Sequence, residues 1–152
     1  MTTFQYSGTS GADYIDTWSL NYAYPGYSGF EIFGTAGDDN ISLSISSRLS
    51  VDTAWGGDGD DFMSGNAYLS AYASAIFDGG YGNDRVYFSL MSPELNSEGL
   101  PNFTRESDLI SQIKLSASDG SILTAAISDT VERIEFGLSG ETYLTEDLAK
   151  GM

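Results

Sequence analysis

Four short segments of this chain repeat one arrangement of glycine and aspartate. They are Gly8-Thr9-Ser10-Gly11-Ala12-Asp13-Tyr14-Ile15, Gly34-Thr35-Ala36-Gly37-Asp38-Asp39-Asn40-Ile41, Gly56-Gly57-Asp58-Gly59-Asp60-Asp61-Phe62-Met63 and Gly79-Gly80-Tyr81-Gly82-Asn83-Asp84-Arg85-Val86. Glycine stands at positions 1 and 4, aspartate at position 6, and an aliphatic residue or Met at position 8. Position 2 is Gly or Thr, and the starts lie 26, 22 and 23 residues apart. Glycine permits left-handed and tight backbone and leaves carbonyls accessible. The aspartate adds a carboxylate at the end of each turn. Oxygens of these two kinds, gathered together, hold cations.

The turns must be brought into register before they can act together. Short apolar runs precede the later turns: Phe30 to Phe33, Val51 to Trp55, and Ala75 to Phe77. Position 8 opens a second short strand and points inward. One period therefore reads strand, Gly-Asp turn, strand, second turn, which is one coil of a parallel β-solenoid. With coils about 4.8 Å apart, the carboxylates of Asp13, Asp39, Asp61 and Asp84 form a ladder along one edge. Like charges at that spacing repel, so the ladder needs protons or a cation. An oxygen-only, flexible donor set favours a hard ion, and Ca²⁺ over Mg²⁺. Four stacked turns leave room for up to about three Ca²⁺ between them. Three such ions would bring the formal charge of −16 to about −10.

Composition removes competing functions. The chain has 152 residues, no His, no Cys, 22 Asp+Glu and only 6 Lys+Arg. The length suits one domain with a real core. Without His or Cys there is no Ser-His-Asp or Cys-His hydrolase, no zinc ribbon and no disulfide framework. Scattered basic residues in an acidic chain make no footprint for nucleic acid or for an anionic membrane surface. The stretch from Met1 to Gly11 has neither a basic nor an apolar region, so no cleaved N-terminal signal is expected, and no apolar run is long enough to span a bilayer. The Asp58-x-Asp60 pair mimics the start of an EF-hand, but Phe62 and Met63 stand where a third acid and the invariant glycine belong.

The four turns resemble the GGxGxDxUx nonapeptides of RTX (repeats-in-toxin, or hemolysin-type) proteins, in which U is a large apolar residue. Residues 56–64 and 79–87 match every defined position, and the first two turns carry Thr for the second glycine. The spacing departs from a nine-residue array, so only one edge of the roll carries the motif; the opposite turns around Ser46-Ser47-Arg48 and Ala67-Tyr68-Leu69-Ser70 lack it. The resemblance implies a Ca²⁺-binding parallel β-roll, with positions 1 and 3 and the aspartate of one turn facing positions 2 and 4 and the aspartate of the next. A first site would then use Gly8, Ser10, Asp13, Thr35, Gly37 and Asp39. A second would use Gly34, Ala36, Asp39, Gly57, Gly59 and Asp61, and a third Gly56, Asp58, Asp61, Gly80, Gly82 and Asp84. The resemblance further implies export by a bacterial type I secretion system, with folding on Ca²⁺ outside the cell and an uncleaved C-terminal signal. The tail from Leu144 to Lys150 is the candidate for that signal.

Beyond Val86 the Gly-Asp turns stop. Residues 91–108 read as a long loop, and the runs Ile110 to Ala117, Ile122 to Ile127, Val131 to Phe136 and Thr142 to Leu144 read as strands with a turn at Ser118-Asp119-Gly120. They are expected to form antiparallel hairpins that cover the open end of the roll. The segment from Asp129 to Phe136 also resembles the capping segment common at the end of RTX arrays. The expectation is one all-β domain over 1–152: a β-roll over 1–90, the loop, and a β cap with its tail over 109–152. Two other functions stay open. Trp18, Tyr22, Tyr24 and Tyr27 could form a glycan-binding or adhesion face, or pack over the first coil. The chain could also be a non-catalytic accessory module beside a secreted enzyme. A glycosidase pair among Glu132, Glu135, Glu141 and Glu146 is the weakest reading, and no enzyme is expected.

Overall fold

The computed structural model describes residues 3–45, 51–68, 71–107 and 110–144. Its chain order is β1 (Thr3–Ser7), β2 (Tyr14–Asp16), α1 (Thr17–Ala23), β3 (Gly29–Phe33), β4 (Asn40–Ile45), β5 (Val51–Asp58), β6 (Phe62–Ala67), β7 (Tyr72–Tyr81), β8 (Arg85–Phe88), β9 (Ser92–Pro93), β10 (Thr104–Arg105), β11 (Ile110–Ser116), β12 (Ile122–Ser128), β13 (Arg133–Phe136) and β14 (Glu141–Leu144). Two sheets share one core. One runs β1-β3-β5-β7-β12-β11-β10, with β9 also on β11; the other runs β14-β13-β8-β6-β4-β2. The first five strands of one sheet and the last five of the other are parallel neighbours. This is the β-solenoid expected from the repeat.

Alternation explains how these strands close a core. In β4 the residues Ile41, Leu43 and Ile45 point inward, and Ser42 and Ser44 do not. Register carries this alternation from coil to coil. Position 8 forms the column Ile15, Ile41, Met63, Val86, all buried, and Ile134 extends it by one step. Opposite them stand Phe30, Ile32, Ala54 and Phe77. Phe77 and Phe136 flank Phe88, edge-on and stacked respectively.

The C-terminal half differs from a plain hairpin cap. β11 and β12 are antiparallel, as are β13 and β14. However, β12 pairs parallel to β7, and β13 parallel to β8. The two inner strands are thus a fifth winding of the roll, and only β11, β14, β9 and β10 cap it. The stretch 91–108 is not wholly loop, since β9 and β10 lie along β11. Arg105 of β10 reaches Asp129 with both guanidinium nitrogens, at 2.8 and 3.0 Å, and also donates to the Ser111 hydroxyl at 2.8 Å. Arg105→Ala should cost about 1 kcal/mol, as a partly buried bidentate pair does. At this size the melting temperature should fall by roughly 2–4 °C in a calorimetric scan.

The 26-residue first spacing also has a physical cause. After three residues of β2 the chain leaves the sheet and forms α1. Asp16 caps that helix by accepting the Trp18 N–H at 2.9 Å. The buried Thr17 hydroxyl accepts the Ser44 N–H at 2.8 Å, so the helix stands where the first winding would otherwise pair with the end of β4.

Candidate metal centre

The turns sit between the paired strands, where the chain crosses from one sheet to the other. Positions 2 and 4 of the second, third and fourth turns have positive φ: Thr35 82°, Gly37 102°, Gly57 100°, Gly59 131°, Gly80 85° and Gly82 133°. Thr35 is the exception to glycine, and its hydroxyl donates to the Thr9 carbonyl. This conformation turns successive carbonyls to alternate sides. The carbonyls of Thr35 and Gly37 lie against Gly57 and Gly59 of the next turn, and those of Gly57 and Gly59 against Gly80 and Gly82. Position 1 points the other way: Gly56 O faces back to Gly34, and Gly79 O back to Gly56. Position 3 does the same, for Gly37 N–H donates to Asp58 O and Gly59 N–H to Tyr81 O, both at 2.8 Å.

The carbonyls run opposite to the pairing carried over from the resemblance. A gap between two turns receives positions 2 and 4 from the turn before it and positions 1 and 3 from the turn after it. The second gap is therefore lined by Thr35, Gly37 and Asp39 with Gly56, Asp58 and Asp61. The third is lined by Gly57, Gly59 and Asp61 with Gly79, Tyr81 and Asp84. Gly34 O faces back to Gly8, in the first gap, beside Asp13; Gly80 and Gly82, in the fourth turn, lie above the third gap. Ser10, in the first turn, is exposed.

The aspartates form the expected ladder. Asp13 N–H donates to Asp39 Oδ1, Asp39 N–H to Asp61 Oδ1 and Asp61 N–H to Asp84 Oδ1, each at 2.8 Å. Asp39, Asp61 and Asp84 are buried, and the Oδ2 atom of each has no hydrogen-bond partner among the described residues. Each Oδ2 lies against the position-1 glycine of its own turn; Asp39 and Asp61 are joined there by the carbonyls of Gly56 and Gly79. A methyl group on Gly34 or Gly56 would collide with both oxygens. Burial raises the pKa of all three, more than the N–H from the preceding coil lowers it, and neighbouring aspartates raise it further. Asp61 is pushed up to about 6 and Asp84 to about 7.

Among the described residues no three acidic side chains converge as a ready-made metal cluster. Each gap instead sets an unpartnered carboxylate oxygen among backbone carbonyls. Such carbonyls carry a second lone pair and suit a hard divalent ion. The donor chemistry therefore fits calcium in the second and third gaps.

The first gap differs. Thr9 donates its N–H to Asp13 Oδ2 at 2.6 Å and sets its hydroxyl 3.1 and 3.0 Å from the two Asp13 oxygens. Asp13 is half-buried and already satisfied. A second, outer ladder at position 5 was not expected. Asp60 N–H donates to Asp38 Oδ1 and Asn83 N–H to Asp60 Oδ1, both at 2.9 Å.

Glu132 was also missed as a ladder residue. Asp84 N–H donates to its Oε2 at 2.6 Å, so it occupies the position-6 rung of the fifth winding. The signal was present in the sequence: Glu132-Arg133-Ile134 repeats the acid-Arg-aliphatic order of Asp84-Arg85-Val86. Of the other glutamates, Glu135 lies 3.7 Å from Arg85 and Glu141 accepts the Tyr143 hydroxyl. Glu146 lies outside the described residues, as do Ser46, Ser47, Arg48, Leu69, Ser70 and the tail from residue 145.

The four aromatics do not make one face. Tyr24 stacks on Phe4 with ring centroids 4.5 Å apart, and Tyr27 meets the same ring edge-on. Phe4 in turn packs on Phe30, so these two tyrosines close the end of the core. Trp18 meets Tyr68 instead, and Tyr22 is 89% exposed. Comparison with family models, with curated proteins and with solved structures finds no match to this chain.

Proposed function

We propose that the chain is a calcium-binding β-roll module of RTX type that completes its fold on the ion, binds up to three Ca²⁺, and catalyses no reaction of its own. The observation that carries this reading is the column of buried, unpartnered Oδ2 atoms on Asp39, Asp61 and Asp84. A buried ionised carboxylate without a partner is costly, and three in register compound the cost. Bound calcium supplies divalent positive charge to those oxygens. The chain supplies the rest: the turns present carbonyls, the ladder N–H groups orient the carboxylates, and the left-handed glycines let successive turns approach. On the same reading the protein leaves a bacterial cell unfolded through type I secretion machinery and folds outside, where calcium is millimolar.

Isothermal titration of chelated protein with CaCl₂, with metal analysis of the product, tests the reading. Bound calcium and a coupled gain of β circular dichroism are expected. Asp61→Asn keeps an acceptor for the Asp39 N–H but removes a charge shared by two gaps. Calcium affinity should fall at least about tenfold, while in EDTA the variant should retain more β circular dichroism than wild type. A titration with no heat and no bound metal would end the reading.

A further inference from the structure

The motif stops at Asp84, but the ladder does not. In the second and third windings, Oδ1 of the position-6 aspartate takes the N–H of the aspartate before it, and Oδ2 is buried and unpartnered on the side of the gap above. Asp84 follows this rule on both counts: Oδ1 takes the Asp61 N–H, and Oδ2 is buried and unpartnered. Above it, Glu132 takes the Asp84 N–H as each aspartate does for its predecessor. Gly80 and Gly82 hold positions 2 and 4 of their turn and share the φ values of Gly57 and Gly59 to within about 15°; the carbonyls of Gly57 and Gly59 face the winding above them.

That winding has no glycine at all between Ser128 and Glu132. It is two residues shorter than the fourth, by the register that pairs Phe77 with Ile127 and Arg85 with Arg133. The longer side chain of glutamate spans what the shorter turn gives up. Thr130 replaces part of the lost backbone: its hydroxyl accepts the Gly79 N–H at 2.9 Å and donates to Asp78 Oδ1 at 3.0 Å. Among the described residues no salt bridge reaches Asp84. Arg85 lies over the Phe62 ring, 4.4 Å from its centroid, and reaches Glu135, while Arg105 is held by Asp129.

We infer that the gap between the turn at 79–84 and the turn at 128–132 binds a calcium ion, held by Asp84 Oδ2, Glu132 and the carbonyls of Gly80 and Gly82. This rests on the calcium reading above and changes where the ions lie. The three unpartnered Oδ2 atoms assign the second, third and fourth gaps. The first gap, where Thr9 has already satisfied Asp13, is not one of the three.

The test counts calcium per chain after equilibrium dialysis against CaCl₂, for wild type, Glu132→Gln and Glu135→Gln. Gln keeps an acceptor for the Asp84 N–H and loses the charge; Glu135 lies outside the ladder. Three ions are expected for wild type and for Glu135→Gln, and two for Glu132→Gln. An anomalous-difference map from crystals grown in calcium should place one peak between Asp84 and Glu132. Equal counts in wild type and Glu132→Gln, or a third peak beside Asp13 with none at Glu132, would overturn the inference and leave the calcium reading intact. No calcium on wild type would remove both.

Discussion

Chelation at neutral pH should unfold the roll. In EDTA at pH 7.5 the far-ultraviolet β signal and the cooperative melt are expected to be lost, and millimolar CaCl₂ should restore both. The reason is quantitative. A domain of this kind is stable by about 5–15 kcal/mol in total. Keeping Asp61 and Asp84 ionised inside the metal-free fold costs on the order of 3–4 kcal/mol each, from the rise of their pKa values to about 6 and about 7. Asp39 adds a cost of the same sign. Together these offset most of what the core supplies. Each ion at one hundred times its dissociation constant returns about 2.7 kcal/mol, so three return about 8. Magnesium at equal concentration should restore far less, because it holds its water and demands a tight octahedron. An identical melt with and without EDTA would show that the carboxylates are neutralised in some other way.

Acid should substitute for the ion. The folded pKa values of these aspartates lie above the unfolded value of 3.8. Their protonated forms therefore favour the fold. That contribution is fully present below about pH 4 and is lost as pH rises through about 6 to 7. Chelated protein brought from pH 7.5 to about 5 should regain β structure, the reverse of ordinary acid unfolding. In calcium the dependence inverts. Protons then compete for the ligand oxygens, and apparent calcium affinity should fall as pH drops from 7 to 6. Circular dichroism across that pH range, with and without EDTA, separates the two slopes.

What could be read from the residues, and what could not, divides along physical lines. The roll was legible because Gly-x-x-Gly-x-Asp, repeated four times, fixes both a backbone conformation and an inward column ending in Ile15, Ile41, Met63 and Val86. The direction of the carbonyls was not, since it depends on which side of the turn each positive φ rotates the peptide. The carbonyls therefore run opposite to the pairing inferred by resemblance. α1 was missed because its seven residues are too few to show a helical period, and the cap at Asp16 binds locally. The fifth winding was hidden by its short, glycine-free turn, and its parallel partners lie some fifty residues earlier in the chain. Strand patterning marks β12 and β13 as strands and says nothing of their direction. Thr9 shows the limit most clearly. Read as a tolerated substitute for glycine, it proves to satisfy the first carboxylate of the ladder.

Gly59→Ala should lower the melting temperature of the roll sharply even in saturating calcium. At φ 131° this residue holds a conformation that side chains rarely adopt, and a methyl group there would overlap the Gly37 carbonyl oxygen, with the carbonyl carbon at 2.6 Å. Both obstacles are backbone, so no rotamer change relieves them. Strain and overlap together should cost about 3–5 kcal/mol, or roughly 10–15 °C in melting temperature at this size. Calcium should not rescue the variant, because the obstructed carbonyl is one of those lining the second gap. Gly99→Ala provides the comparison. Gly99 also has positive φ, at 78°, but has nothing within 4 Å of the added methyl, so only the conformational cost of about 1–2 kcal/mol remains. Calorimetry of both variants in calcium decides the matter. If Gly59→Ala melted within two or three degrees of Gly99→Ala, the turns could not be stacked as closely as shared ions between them require.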